Sequence, residues 1–392
     1  MAKPRSLSTA FALGHLCNDF APCAIWIIAP AFAVAMDLTP AQLGLLFTIH
    51  SVGSAIAFLP AGIVADHVSD RGRLLIITFW WVGFGYFAAS FAPGYWTFAL
   101  LLAIGGMGDA VWHPVATGTL VQQSPGGRAR ALGIHAMGGT FADVLAPLLV
   151  GFLLAHMDWR TALQICVIPA FMMGGLFWFV ARHIPKRPTT RFSHHDLISL
   201  WHTWRSPAGL KVVGLIAIYN MAFMALLSMI PLYLQRRHGL GTEMTGLAFS
   251  AMLLTGALTQ PLIGGISDKL GRRPIVIGGN LLAALSAGLA AIVNPLAVVL
   301  GLLMIATGTL TAIRSVLLAH AVEHAGRRES TTLGLAFVIL DGVGALGALF
   351  AGIVGTIQLE YAFALAATLS AVAMGFSLSL PKQNGVSAPN GA

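Results

Sequence analysis

The sequence predicts an all-α membrane protein: twelve transmembrane helices arranged as two pseudo-symmetric six-helix bundles. Three observations carry that expectation. First, 57% of the 392 residues are hydrophobic and only 9% are charged, whereas a soluble domain carries roughly 25% charged residues. Second, twelve apolar segments can be counted, each near the roughly 20 residues a helix needs to cross a bilayer. Third, with both termini inside, eighteen Lys and Arg fall on the cytoplasmic side and only Arg160, Arg236 and Arg237 outside, while Arg314 lies within a span. That bias obeys the positive-inside rule, and losing one helix from the count would scramble it. The net charge of +8 and pI of about 9.9 therefore give no case for nucleic acid, because most basic residues sit in short connections between apolar runs.

In chain order, the first six spans are read at 9–36, 41–65, 74–91, 95–120, 131–154 and 159–182. Lys3 and Arg5 ahead of the first span imitate a secretory signal. The run is too long for one, contains His15 and Asp19 and lacks a convincing cleavage site, so it is read as a retained helix. A polar interval at 183–208 holds Pro185, Pro188 and Pro207 among basic residues and reads as a cytoplasmic linker. Within it, residues 196–204 have the pattern of a short amphipathic helix, with Leu197, Leu200, Trp201 and Trp204 towards lipid headgroups. His194, His195 and His202 nearby have no ligand spacing, so a solvated linker is expected there rather than a metal site. The second six spans are read at 210–235, 243–266, 275–293, 296–320, 332–355 and 359–380. The domain scheme is thus 1–182, the linker 183–208, 209–381, and a small polar tail at 382–392 expected to be disordered. Cys17, Cys23 and Cys166 all fall in apolar runs, too scattered for a disulfide framework or a metal set, and read as small buried residues.

The two halves repeat at an offset near 202. Gly62-Ile63-Val64-Ala65-Asp66 answers Gly264-Gly265-Ile266-Ser267-Asp268, and Leu38 and Gly44 answer Leu240 and Gly246. Repeated halves of six helices are a transporter architecture. The stretch from Gly264 through Asp268, Lys269, Leu270, Gly271, Arg272 and Arg273 resembles the loop signature of the major facilitator superfamily. The first-half copy, with Asp66, His67, Asp70, Arg71, Gly72 and Arg73, departs from it: His67 replaces the first base and the glycine comes three residues late. Gly14-His15-x-x-Asn18-Asp19, and Gly105 to Gly108 running into Val111-Trp112-His113-Pro114, resemble the fosmidomycin-resistance-like branch. The segment from Gly126-Gly127-Arg128 to Gly138-Gly139 does so too. Ala146-Pro147 stands where drug antiporters of the superfamily often have Gly-Pro. The resemblance implies alternating access, export of a small organic solute, and gating by the loop charges Asp66, Arg71, Arg73, Asp268, Lys269, Arg272 and Arg273.

Several spans carry ionisable groups at a depth where a charge costs several kcal/mol or more, by scales that disagree. Asp19 with His15, and Asp109 with His113, are spaced i, i+4 and so share a helix face. These four are the candidates for proton coupling. Arg314, Asp143, Asp341 and His135 are the candidates for the substrate cavity. Arg314 cannot lose its proton and must pair with an acid or bind an anionic group of the substrate. The plainer readings are that His50 and His135 hydrogen-bond neighbouring helices and that Asp143 and Asp341 brace the bundle. Four acids against one arginine leave the set at net −3 if fully ionised, so some acids must hold a proton part of the time or pair with imidazolium.

No nucleotide-binding, metalloprotease or nucleophile-elbow motif appears, so no ATP-driven step and no enzymatic activity is expected. The expected protein is a monomeric secondary transporter of the bacterial inner membrane, both termini cytoplasmic. Its expected partners are a small-molecule substrate, protons and the lipid bilayer, with no cofactor, no metal and no nucleic acid. Uptake of an organic anion by proton symport is the competing direction. A membrane-embedded sensor or enzyme, or a passive channel, are the readings from other classes.

Overall fold

A computed structural model describes residues 4–123, 128–186, 202, 204–325 and 329–378. Helix α1 spans Pro4–Ala35, α2 Pro40–His67, α3 Arg71–Ala89, α4 Tyr95–Gln123 and α5 Arg128–His156. The sixth span is divided into α6 (Trp159–Cys166) and α7 (Ile168–Ala181). Pro169 supplies the reason: it has no N–H to return to the preceding turn. The second half runs as α8 (Pro207–His238), α9 (Thr242–Leu270), α10 (Arg272–Ala290) and α11 (Leu296–Ala325). The eleventh span is α12 (Glu329–Val338), a π turn at Ile339–Val343 and α13 (Leu346–Gly355), and α14 is Tyr361–Leu378. Among the described residues there is no strand, as expected where lipid leaves backbone groups no partner outside the helix.

Among the described residues twelve helical stretches are long and apolar enough to cross a membrane, in agreement with the count from sequence. Boundaries differ by up to five residues, at the start of α1 (Pro4 against 9) and the end of α11 (Ala325 against 320), and α3 and α10 begin at Arg71 and Arg272 rather than near 74 and 275. Counting apolar residues cannot see a first turn built from arginine. Contacts group the chain into two compact units: Met1–Leu38, Leu46–Ser193 and Gly239–Ser250, and Thr39–Leu45, His194–His238 and Ala251–Ala392. Within the second unit 78% of the most apolar 18-residue stretch of Pro207–His238 is buried, against 33% for those of Arg272–Ala290 and Tyr361–Leu378. Outer faces of the latter two expose Leu281, Leu282, Leu285 and Val372, the composition a lipid-facing surface requires.

Most of the linker, with His194, His195 and Leu197 to Trp201, lies outside the described residues, as do Gly126, Gly127 and the tail. Trp204 corrects the amphipathic expectation. It is 3% exposed and sits edge-on to His324 with ring centroids 6.1 Å apart, so it is packed within its unit and does not face headgroups. His202 is exposed.

Connections are held by caps. The Asp158 carboxylate accepts from the Arg160 and Thr161 amides at 2.8 and 3.2 Å, satisfying two free donors at the start of α6. Arg160 in turn donates to the Ser90 and Ala92 carbonyls beyond the end of α3. The Thr161 hydroxyl, with these amides, holds the Asp158 carboxyl below the usual carboxylate range. A depressed folded-state value means the contribution is complete above the unfolded pKa and is lost as pH falls through the folded one. Asp158→Ala is expected to cost about 1 kcal/mol, measured as a lower thermal midpoint in detergent at neutral pH, with the difference from wild type shrinking in acid.

Candidate functional site

The site in the first unit begins with a close crossing of α1 and α5. A Cβ on Gly138 would collide with the Ala12 carbonyl, and one on Gly139 would lie 2.8 Å from His15 Nε2. Only glycine lets the two helices approach this far. The crossing fixes the His15 ring. Its Nδ1 lies 2.9 Å from the His135 carbonyl oxygen; a carbonyl only accepts, so Nδ1 carries the hydrogen. Nε2 then faces Asp19 Oδ2 at 3.1 Å. His135 stacks on His15 with centroids 4.3 Å apart, and its own Nδ1 donates to the Phe11 carbonyl at 3.2 Å.

Helix α4 brings the second pair. Gly105 packs under Tyr86, Gly106 under Ser54 and His50, and Gly108 under Trp81, so the glycines seat α4 against α2 and α3. His113 Nε2 lies 3.7 Å from Asp109 Oδ2. The two acid–imidazole pairs, separate in sequence, form one network. Asn18 Nδ2 donates to Asp109 Oδ1 at 2.6 Å and to Asp19 Oδ1 at 3.3 Å, and the His15 and His113 rings meet edge-on with centroids 5.2 Å apart. Side-chain exposures of these four residues run from 12% to 24%, so the network is shielded but reachable.

The electrostatics follow from composition. No Lys or Arg occurs in the core of α1 or α4, so the counter-charges within the network are imidazoles. Two full charges about 5 Å apart repel by ~3 kcal/mol at an effective dielectric constant of about 20. An acid pair joined by one amide and flanked by two imidazoles has groups that can each accept or donate a proton. Ligating atoms of His15, Asp19 and His113 all lie within 4.8 Å of one another, a cluster compact enough for hydrogen-bonded exchange or for a single cation.

Two further sequence candidates in this unit have partners of their own. His50 Nε2 lies 2.6 Å from the Tyr86 hydroxyl, tying α2 to α3. Asp143 accepts from the Cys23 thiol at 3.2 Å but is itself exposed, which corrects the expectation of an acid at depth; only Cys23 is buried. Asn18 was missed by reasoning from charged residues. The repeat offers the signal, since an offset of 202 carries Asn18 onto Asn220, and both are buried (0% and 1% exposed).

In the second unit Asn220 Nδ2 donates to the Leu340 carbonyl at 2.7 Å. The π turn holding Asp341 makes this possible, because widening the helix frees a carbonyl from the ordinary ladder. Next to Asn220, the Tyr219 hydroxyl donates to the Leu310 carbonyl on α11. Arg314 lies one turn further along α11, half-buried.

The loop charges act as clamps. Arg71 opens α3 and is buried rather than exposed in a loop: Nε donates to the Ala65 carbonyl at 2.8 Å and Nη1 to Gln122 Oε1 at 2.6 Å, which ties the end of α2 to α4. Asp70 caps α3 through the Arg73 amide at 3.0 Å and pairs with Arg73 and Lys186, each at 3.3 Å. In the second unit Arg272 joins Asp268, Ser267 and Glu323, Arg273 donates to the Leu378 carbonyl at 2.7 Å, and Lys269 is exposed. The Asp66 side chain lies outside the described residues. Gly271 has φ +90°, a conformation that strains any other residue. The first-half glycine sits elsewhere for a different reason: a Cβ on Gly72 would meet Ala181 on α7 at 2.9 Å, so it serves helix packing, and Asp70 makes the turn.

Twelve helices long and apolar enough to cross a membrane, with polar and titratable groups along several of them, are the construction of a multi-pass membrane protein. The chain belongs to the Major Facilitator Superfamily, whose sequence model matches residues 11–252 and 216–391. It is 25% identical over 384 residues to a Haemophilus influenzae protein named for metabolite transport, covering 92% of this chain and 91% of that protein. It is 25% identical over 372 residues to the fosmidomycin resistance protein of Escherichia coli, covering 90% and 87%. The fold matches the crystal structure of a bacterial homologue of the human lysosomal transporter Spinster, captured inward-facing and unoccupied. The TM-score is 0.81, at 18% identity over 96% of this chain and 97% of that one.

Proposed function

We propose that this chain is a proton-coupled secondary transporter of the bacterial inner membrane, a monomer with both termini cytoplasmic, that exports a small organic solute by alternating access. The observation that carries the coupling is the Asn18 bridge: two carboxylates, each with its own i, i+4 imidazole, share one amide inside the bilayer. Such a pair binds a proton more readily in a state that excludes water and releases it in one that admits water. Export is supported by the relative whose name records resistance to fosmidomycin; the basic residues gathered on one side support cytoplasmic termini.

The test uses a solute found by thermal-shift screening of phosphonates, organic acids and cationic drugs. Export by antiport predicts that inverted vesicles with an acid interior accumulate it, and that a protonophore abolishes the accumulation. Accumulation only in right-side-out vesicles in an acid medium would reverse the direction to uptake by symport. Flux indifferent to the pH gradient would reject proton coupling.

A further inference from the structure

Among the described residues Arg314 makes no ion pair and no hydrogen bond. It stands about 10 Å, or seven residues, inside the cytoplasmic end of the span Leu296–Ala321. A guanidinium is always charged and at such depth is normally matched by an acid or a row of carbonyls. The neighbours on its helix show which way it faces. Thr311 packs on Gly256 of α9 and Ile313 on Gly279 of α10. Leu310, one turn before Arg314 on the same face, receives the Tyr219 hydroxyl of α8. Arg314 therefore looks towards α8, on the side where the fully buried Tyr219 reaches α11. The acids of this unit whose side chains are described have other engagements: Asp268 and Glu323 are held by Arg272, and Glu360 by Arg237. Asp341, in the π turn, also has a partner.

From this we infer that the solute is an anion, and that Arg314 is the cationic end of its binding site, taking a carboxylate or phosphonate by two parallel N–H···O bonds with the Tyr219 ring as one wall. The inference rests on the transporter reading and adds the class of substrate to it. A bound anion supplies the counter-charge that the fold leaves out, so the loaded carrier is less costly in the bilayer than the empty one.

The experiment is a thermal-shift series on full-length purified protein in detergent, comparing wild type with Arg314→Leu and Arg314→Lys. The probes are benzoate, methylphosphonate, neutral benzamide and the cation tetraphenylphosphonium. In anion-poor buffer Arg314→Leu is expected to melt above wild type, because an unmatched buried charge has been removed. Benzoate or methylphosphonate is expected to raise the wild-type midpoint and leave Arg314→Leu unmoved, and which of the two acts distinguishes a carboxylate from a phosphonate site. Arg314→Lys, keeping charge without the fork, is expected to need at least about tenfold more of the same anion. A lower midpoint for Arg314→Leu would make the residue a structural partner and overturn the inference. So would anion stabilisation that survives the change, stabilisation by benzamide or the cation alone, or no stabilisation of wild type by either anion. None of these outcomes touches proton coupling, which the pH-gradient assay reads independently.

Discussion

Asp19→Asn is expected to abolish proton-driven accumulation while leaving solute binding and solute–solute exchange in place. Asparagine keeps the size of the side chain and its hydrogen bond with Asn18 or His15, so the α1–α5 crossing is undisturbed. It removes the ionisation that the His15 pair at 3.1 Å is built to balance. Loss of a proton-transfer group slows its step by about a hundredfold or more, so coupled flux should fall to background in vesicles while exchange between labelled and unlabelled solute persists. Coupled flux at the wild-type rate would move the coupling to Asp109, the other carboxylate on the Asn18 amide.

The second large effect is on folding. Gly138→Leu drives a branched side chain into the Ala12 backbone, where even a single Cβ has no room. The colliding atom is a helix carbonyl and cannot rotate away, so α1 and α5 must separate and the His15 contact with the His135 carbonyl must break. Overpacking costs typically 1–3 kcal/mol and more where backbone blocks relief. Gly138→Leu is expected to lose most folded protein by size-exclusion and thermal analysis, whereas Gly133→Leu, on the same helix with nothing near its Cβ, should remain folded. Equal behaviour of the two would mean that this crossing is not what holds the first unit together.

The spans were readable in the sequence because a bilayer imposes one length and one composition on every crossing. Their interruptions were not. Pro169 gave no more signal than Pro22 or Pro147, which lie inside unbroken helices. The π turn at Ile339–Val343 has no sequence signature beyond the presence of Asp341. Both acid–imidazole pairs were legible from i, i+4 spacing alone, since that relation is local. Their union was not, because it depends on how α1, α4 and α5 cross, and Asn18 carries no charge to draw notice. Arg314 was visible as an odd residue, but its want of a partner among the described residues is a fact of packing between helices. Trp204 looked like an interfacial anchor by pattern and turned out to be core, because amphipathic spacing does not say which apolar surface will cover it.

The central claim is that the Asn18-bridged acids hold a proton that the transport cycle moves. The most direct measurement is the number of protons displaced when the stabilising solute binds purified carrier in weakly buffered detergent solution, read by an indicator dye. Wild type is expected to release protons in proportion to solute bound, with Asp19→Asn binding the solute and releasing none. Binding without proton displacement, or displacement undiminished in that variant, would contradict the account.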